Sequence, residues 1–293
     1  MKIAFIGTVE FSRRTLQLLI EMDQDIVGVC TLKDSLFNAD HCDLRQLCEK
    51  HNISWCYAPD INSEQSVRWL VDKNPDIIFC FGWSKLLGPK ILNLAPRGVI
   101  GFHPTELPAN RGRHPLIWSL VLGLRETAVT FFFMDESADS GDILSQQKIK
   151  ILDKDDATTL YEKVTICALK QIKAFVPQLS SGSAPRIVQN NSKSNDWRKR
   201  CAADGQIDWR MSASSIRNLV RGLAKPYVGA HFIYLSQEIK VWKVQVINVV
   251  MRNIEPGKIV FFTEGKAVVK CGEQAIKLLL TEPELDLSRE KYL

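Results

Sequence analysis

The sequence has no apolar run near the roughly 20 residues that a membrane-spanning helix requires. Its first residues, MKIAFIGTVEF, stay apolar for a handful of positions before Glu10, Arg13 and Arg14 intervene. That is too short for the apolar region of a secretory leader, and no cleavage site follows. A soluble, cytoplasmic protein is expected. One-sided charge is also lacking: the formal net charge is +5 over 293 residues, with acidic and basic residues interspersed. Composition therefore does not announce a nucleic-acid binder, although it permits anionic substrates. Cysteines are never paired as CxxC. The eight of them, at positions 30, 42, 48, 56, 80, 167, 201 and 271, are scattered, several inside apolar runs, which fits buried reduced thiols. Cys42, Cys48 and His51 come close in sequence, but their spacing matches no common zinc pattern; ordinary helix-face positions are the preferred reading, and no metal is expected. Glycine is scarce at the first turn. Gly7-Thr8-Val9-Glu10-Phe11 offers one glycine where a dinucleotide fingerprint needs three, and Glu10 places negative charge where a pyrophosphate would sit. A plain strand-to-helix turn is expected there. Internal repeats are absent.

Length permits one large domain and a small one, with cores that need no staples. Residues 2–6 read as a buried strand, Phe11 to Met22 as an amphipathic helix with Leu16, Leu19 and Ile20 on one face, and Asp25 to Thr31 as a second strand. Helices at Asp43 to His51 and Ser63 to Asp72 then alternate with strands at Ile53 to Tyr57 and Asp76 to Phe81, the order of a doubly wound parallel sheet. A short helix is predicted at His114 to Gly123, and a long one at Ala157 to Leu179 closes the first domain. The polar stretch 181–206 reads as a linker, with Arg198-Lys199-Arg200 as solvated surface. Beyond it come a helix at Ser212 to Gly222 and five short strands (230–235, 239–250, 258–263, 266–271 and 274–280) with turns between them. Such spacing predicts a small barrel of OB type. The expected architecture is a Rossmann-like α/β domain (1–180), a linker (181–206) and an OB-like domain (207–293).

Chemistry concentrates between Arg97 and Leu144. An apolar run, Val99 to Phe102, delivers His103 into a segment rich in Pro104, Pro108, Asn110 and Gly112, so His103 is expected on a loop at a strand end. A second apolar run, Ala128 to Met134, ends in the acidic loop 135–142. If the two strands are neighbours, His103 and that loop are expected to open at one sheet edge, where α/β sheets place ligands. Alone, His103 is better explained as a satisfied strand-end histidine; paired with a carboxylate it can move a proton and hold an imidazolium beside a developing oxyanion. The loop Gly82-Trp83-Ser84-Lys85-Leu86-Leu87 could line the pocket of a flat aromatic ligand or pack under a helix.

The joint pattern HPTELPANRGRHPLIW, ADSGDIL, IDWRMSASSIRNLVRGLAKPYVGAHF and IKVWKVQVI, with FIGTVEF and FGWSKLL in order, resembles the 10-formyltetrahydrofolate-dependent formyltransferases over nearly the whole chain. Within that family it is similar to the branch acting on methionyl-tRNA and to the sugar-nucleotide N-formyltransferases. The resemblance implies attack by a neutral amine on the formyl carbon of 10-formyltetrahydrofolate, a tetrahedral oxyanion, and release of tetrahydrofolate. His103 and Asp139 correspond to the family's catalytic histidine and aspartate, with Asp139 orienting His103 and favouring its protonated form. Phe81, Trp83, Leu86 and Leu87 match one wall of the family's pterin site, and Ser137, Ala138 and Asp142 the other; backbone groups of Leu86 and Asp142 are the expected pterin contacts. The family's asparagine, two residues before the histidine, is here Gly101. An absent amide donor costs an oxyanion site about 2–4 kcal/mol unless Thr105, Asn110, a backbone N–H or a water replaces it.

For the acceptor, the loop 32–41 is short and roughly neutral where the transfer-RNA enzymes carry a longer basic insertion. Many phosphates would not be met by Asp34 and Asp40. A nucleotide-linked amino sugar is therefore expected, with Arg111 and Arg113 as diphosphate contacts and Glu106 as a partner for the sugar. Two alternatives stay open: formylation of initiator methionyl-tRNA, and, because of Gly101, a folate-binding module or 10-formyltetrahydrofolate hydrolase. A homodimer through the small domain is a further expectation.

Overall fold

The computed structural model describes residues 1–35, 38–288 and 290–293; Leu36 and Phe37, in the loop read above as neutral, lie outside the described residues. The first half contains β1 (Ile3–Ile6), α1 (Glu10–Glu21), β2 (Ile26–Thr31), α2 (Arg45–Lys50), β3 (Trp55–Tyr57), α3 (Glu64–Asp72), β4 (Ile77–Cys80), α4 (Pro89–Leu92), β5 (Val99–His103), β6 (Arg111–Gly112) and α5 (Pro115–Val121). Then follow β7 (Glu126–Phe133), β8 (Ile143–Lys150), α6 (Ala157–Ser181), β9 (Asp196–Trp197) and α7 (Ala213–Gly222). The last strands are β10 (Ala230–Tyr234), β11 (Gln237–Ile247), β12 (Ile259–Thr263), β13 (Lys266–Lys270) and β14 (Ala275–Glu282).

Two units emerge from the contacts. The first comprises Met1–Pro115, Thr127–Ile149 and Glu162–Trp197; the second comprises Leu116–Glu126, Lys150–Tyr161 and Arg198–Leu293. In the first, seven strands run in the order β3-β2-β1-β4-β5-β7-β8. Strands β1 to β5 pair in parallel, and the continuous apolar runs IAFI and IIFC belong to strands buried on both faces. One correction concerns β7, which runs antiparallel to β5. On α1 the buried apolar residues are Phe11, Leu16, Leu18 and Leu19, so Leu18 takes the place expected for Ile20.

The first turn is packed shut. Both Thr8 N and Val9 N donate to Ser12 Oγ at 3.1 Å, and Ser12 Oγ donates to Phe81 O at 2.6 Å. A Cβ at Gly7 would lie 2.5 Å from that carbonyl. Glu10 N is taken by Asp40 O. The amides that a pyrophosphate would need are thus spent on protein acceptors.

Cys30, Cys48, Cys80 and Cys271 are buried thiols, and burial pushes Cys48, Cys80 and Cys271 up to about 12. Cys201 departs from the expectation: it is exposed, in the polar stretch before a short helical turn at Ala202–Gly205. Among the described residues no helix is long and apolar enough to cross a membrane, and no His/Cys/Asp/Glu group could hold a metal ion.

The second unit has its five C-terminal strands in the order β10-β11-β14-β13-β12, all pairs antiparallel, with α7 capped by Ser212 Oγ on Ser215 N. Its core gathers Ile216, Leu219, Val220, Phe232, Val241, Val269 and Ile276. The strands fall where expected, but among the described residues no pairing joins β12 to β10, so the sheet is not a closed barrel. Flanking chain engages each edge instead. Ile207 N donates to His231 O on β10 at 2.6 Å, and Ile259 N on β12 donates to Lys291 O at 2.8 Å. Edges covered this way need no closure.

Residues 181–197 of the polar stretch have specific partners in the first unit. Ile187 exchanges backbone bonds with Ile143 at 2.8 and 3.0 Å, β9 pairs in parallel with β6, and Gln189 is buried. Its composition reads as a linker because its polar groups bond to other chain segments rather than pack a core.

Candidate active site

Side chains alternate along β5. Phe102 stacks on Phe11 with ring centroids 4.1 Å apart, while Gly101 and His103 face the other way. His103 pairs with Thr130 and Ile100 with Phe133 in the antiparallel register. The acidic loop therefore leaves β7 at the end of the sheet away from His103, not at the shared edge expected. Asp139 reaches the histidine because loop 134–142 doubles back by about 10 Å, the rise of three strand residues.

His103 is buried, 5% exposed. Its Nε2 lies 2.8 Å from Asn110 O, and since a carbonyl only accepts, Nε2 is the donor. Nδ1 stands 3.5 Å from Asp139 Oδ2, an ion-pair distance when the ring is protonated. The same Oδ2 accepts from Gly112 N at 2.9 Å. Asp139 holds φ at +55° and Asn110 at +64°, conformations that Asp and Asn tolerate through their short polar side chains. One imidazole is thus seated between a carboxylate and a carbonyl, both presented by loops.

Gly112 is required twice. Its φ is +103°, and a Cβ there would collide with Trp197 O on β9 and lie 3.1 Å from Trp197 N. Gly112→Ala is expected to open the β6–β9 pairing, displace the amide that Asp139 accepts, and destabilise by about 1–3 kcal/mol. Urea unfolding together with kcat would show both losses.

The space beside Gly101 is filled. A Cβ there would meet Met134 Cγ and Phe132 Cζ, each at 2.8 Å, and Phe132 and Met134 belong to a small cluster with Leu107 and Ile143. Where the resemblance implies an amide donor, an aromatic ring and a thioether stand instead. The Thr105 hydroxyl and the Asn110 backbone are engaged within the protein. Thr105 is fully buried with Oγ1 donating to Ala109 O at 3.1 Å, and Asn110 contributes its carbonyl to His103 while its N–H goes to Asn195 Oδ1.

Other expected contacts have partners inside the protein. Glu106 pairs with Lys148 at 2.8 Å. Arg113 Nη1 donates to Ser84 O at 2.7 Å. Arg111, 9% exposed, turns inward, its Nη2 donating to Gln189 Oε1 and Asn191 Oδ1 at 2.8 Å each. Both guanidinium groups are thus bonded within the protein, while the buried Arg111 Nε has no hydrogen-bond partner among the described residues.

On the other wall, Phe81 is a core residue and not a lining one. It is fully buried and stacks on Phe79 at 5.2 Å, because it still belongs to the sheet core at the end of β4. Trp83 and Leu87 pack on the same apolar cluster as Met134, and the buried Trp83 Nε1 has no hydrogen-bond partner. Leu86 is 67% exposed, but its carbonyl accepts from Asn62 Nδ2 at 3.0 Å. Asp142 O is taken by Phe133 N at 2.8 Å. Ser137 and Ala138 are exposed on the loop tip, which Asp135 Oδ1 ties through Ser137 N at 3.1 Å and Ser140 Oγ at 2.6 Å. Gln189 and Asn195 reach this site from a stretch whose sequence signals only polarity.

A family model described as formyl transferase matches residues 1–174, and one described as formyl transferase, C-terminal domain, matches 201–286. The chain is 30% identical over 289 residues to a methionyl-tRNA formyltransferase of Caldanaerobacter subterraneus subsp. tengcongensis, covering 97% of this chain and 93% of that one. Its fold is similar to an N-formyltransferase from Helicobacter canadensis in complex with folinic acid and dTDP-3-aminofucose (TM-score 0.72, 16% identity, 95% of this chain and 98% of that chain). It is also similar to HypX from Aquifex aeolicus (TM-score 0.66, 15% identity), where it covers 96% of this chain but spans only 44% of the HypX chain. With both of its matched regions in order and a full-length relative at this identity, the chain belongs to the formyl transferase family.

Proposed function

We propose that this enzyme transfers the formyl group of 10-formyltetrahydrofolate to the amine of a nucleotide-linked amino sugar. The observation that carries formyl transfer is the seating of His103 between Asp139 and Asn110 O. The folate supplies an activated formyl group when bound. Trp83, Leu86, Leu87, Ser137 and Ala138 are the residues assigned to hold it, and the orphaned indole N–H of Trp83 fits an acceptor on a flat heteroaromatic ligand. When protonated, His103 carries an N–H at each nitrogen. Exchanging the Asn110 carbonyl for a ligand oxygen puts the Nε2 donor where negative charge develops. Asp139 keeps the ring oriented through Oδ2 and retains Oδ1 for the proton leaving the attacking amine.

The amino-sugar acceptor is supported by the loop after β2. Its ends are tied down, with His41 Nδ1 3.1 Å from Thr8 Oγ1 and His41 Nε2 3.2 Å from Lys33 O. Asn38 Oδ1 accepts from Ser84 Oγ at 2.8 Å, and Arg113 holds the Ser84 carbonyl. A short, roughly neutral loop pinned in this way gives few cations for an acceptor stem. The relative acting on methionyl-tRNA supports the second reading, transfer to initiator methionyl-tRNA. The test incubates the enzyme with formyl-labelled donor and a panel of nucleotide amino sugars, in parallel with methionyl-tRNA. Label in the sugar amine is expected. Label confined to methionyl-tRNA, with binding that falls steeply with salt, overturns the sugar reading. Free formate released without any amine acceptor establishes hydrolysis instead.

A further inference from the structure

We propose that Gln189 is a positioning residue for Asp139, and that with Arg111 it forms a buried clasp which sets the geometry around His103. The proposal deepens the reading above and rests on it. Gln189 lies between the two regions matched by the family models, 1–174 and 201–286, so the family match itself assigns it nothing.

Gln189 is 6% exposed and uses its whole amide. Nε2 donates to Asp139 O at 2.9 Å and to Gly141 O at 2.6 Å, while Oε1 accepts from Arg111 Nη2 at 2.8 Å. One side chain thus takes up two carbonyls and one guanidinium nitrogen of Arg111. Among side chains of this size only glutamine has two N–H donors and an acceptor to offer. Glutamate can pair with Arg111 but faces the two carbonyls with oxygen; leucine fills the volume and satisfies none of the three.

The clasp acts on a backbone that needs holding. Asp139 sits at positive φ, and Gly141 is pressed so closely onto Phe133 O that no Cβ fits. Gln189 bonds the carbonyls of both residues and so fixes the Asp139–Ser140 and Gly141–Asp142 peptide planes. Across the clasp, Arg111 belongs to β6, whose next residue, Gly112, donates its N–H to Asp139 Oδ2. The same strap carries Asn195, whose Oδ1 accepts from Asn110 N at 2.9 Å and whose carbonyl accepts from Arg111 N at 3.0 Å. The backbones of both residues that face the His103 ring, Asp139 through its carbonyl and Asn110 through its N–H, are thus held from residues 189–195.

The experiment compares Gln189→Leu and Gln189→Glu with the wild type and Asp139→Asn. Glutamate keeps the link to Arg111 and serves as the variant that folds if leucine does not. For both variants kcat is expected to fall by about 10- to 100-fold, as a misplaced catalytic group dictates, while KM for the formyl donor stays within about threefold. Nitrogen-15 signals of the His103 ring, assigned by their loss in His103→Gln, are expected to move in the direction seen in Asp139→Asn. Turnover within about threefold of the wild type together with unchanged ring signals in both variants overturns the proposal. If the wild type formylates no amine at all, the functional reading fails, and the ring signals alone still decide whether Gln189 positions Asp139.

Discussion

Alanine in place of His103 is expected to lower kcat for formyl transfer by about 10²–10⁴-fold, the usual worth of a positioned acid or base. Thr105 Oγ1 is committed to Ala109 O, the side chains beside Gly101 are a phenylalanine and a methionine, and Arg113 is turned to Ser84 O. Removing the ring also strips a donor from Asn110 O, for which a stability loss of about 1 kcal/mol is expected, far too little to unfold a domain. Melting curves measured beside kcat separate the two effects. Asp139→Asn is the companion variant: it keeps an oxygen for Gly112 N while removing the charge facing Nδ1, and its kcat is expected to fall without a large change in stability. Wild-type turnover in His103→Ala would remove the imidazole from the mechanism.

Restoring the family's amide by Gly101→Asn is expected to damage the protein instead of improving it. The new Cβ alone would meet Met134 Cγ and Phe132 Cζ at 2.8 Å, and Phe132 Cε1 at 3.0 Å. Overpacking of a filled core costs about 1–3 kcal/mol, and an amide buried against a ring and a thioether adds about 1–3 kcal/mol for its unmade hydrogen bonds. Urea unfolding should register a combined loss of about 2–6 kcal/mol. Phe132→Ala opens the space, so the double variant is expected to be more stable than the sum of the single losses predicts. Strict additivity would show that the ring does not occupy the asparagine's place.

The pattern of β1, α1, β2, β3, α3 and β4 was legible because parallel strands buried on both faces are written as unbroken apolar runs, with amphipathic helices between them. The direction of β7 was not. An apolar run such as AVTFFF carries no sign of which way it crosses its neighbour, and the antiparallel pairing with β5 moved the acidic loop to the other end of the sheet. Strand β8, ILSQQKIK, was missed because only its first two residues are fully buried. At the site, His103 and Asp139 could be named from the motif, and the structure brings them to 3.5 Å. What surrounds them could not be named. Phe81 looked like a pocket residue because it stands next to Gly82 and Trp83, yet it closes the core under α1. Arg111 looked like a surface cation, yet its partners Gln189 and Asn191 come from nearly 80 residues later in the chain, a separation that local pattern does not carry.

The parallel ladder between Arg111-Gly112 and Asp196-Trp197 sets a rule for splicing. The proposed catalytic apparatus does not end where the long helix ends; it is finished by a ribbon translated after it. A chimera that borrows a foreign C-terminal module must keep the native chain through Trp197. A junction placed at Ser181 would carry over the sheet, His103 and Asp139 but leave behind the ribbon that bonds to their loops.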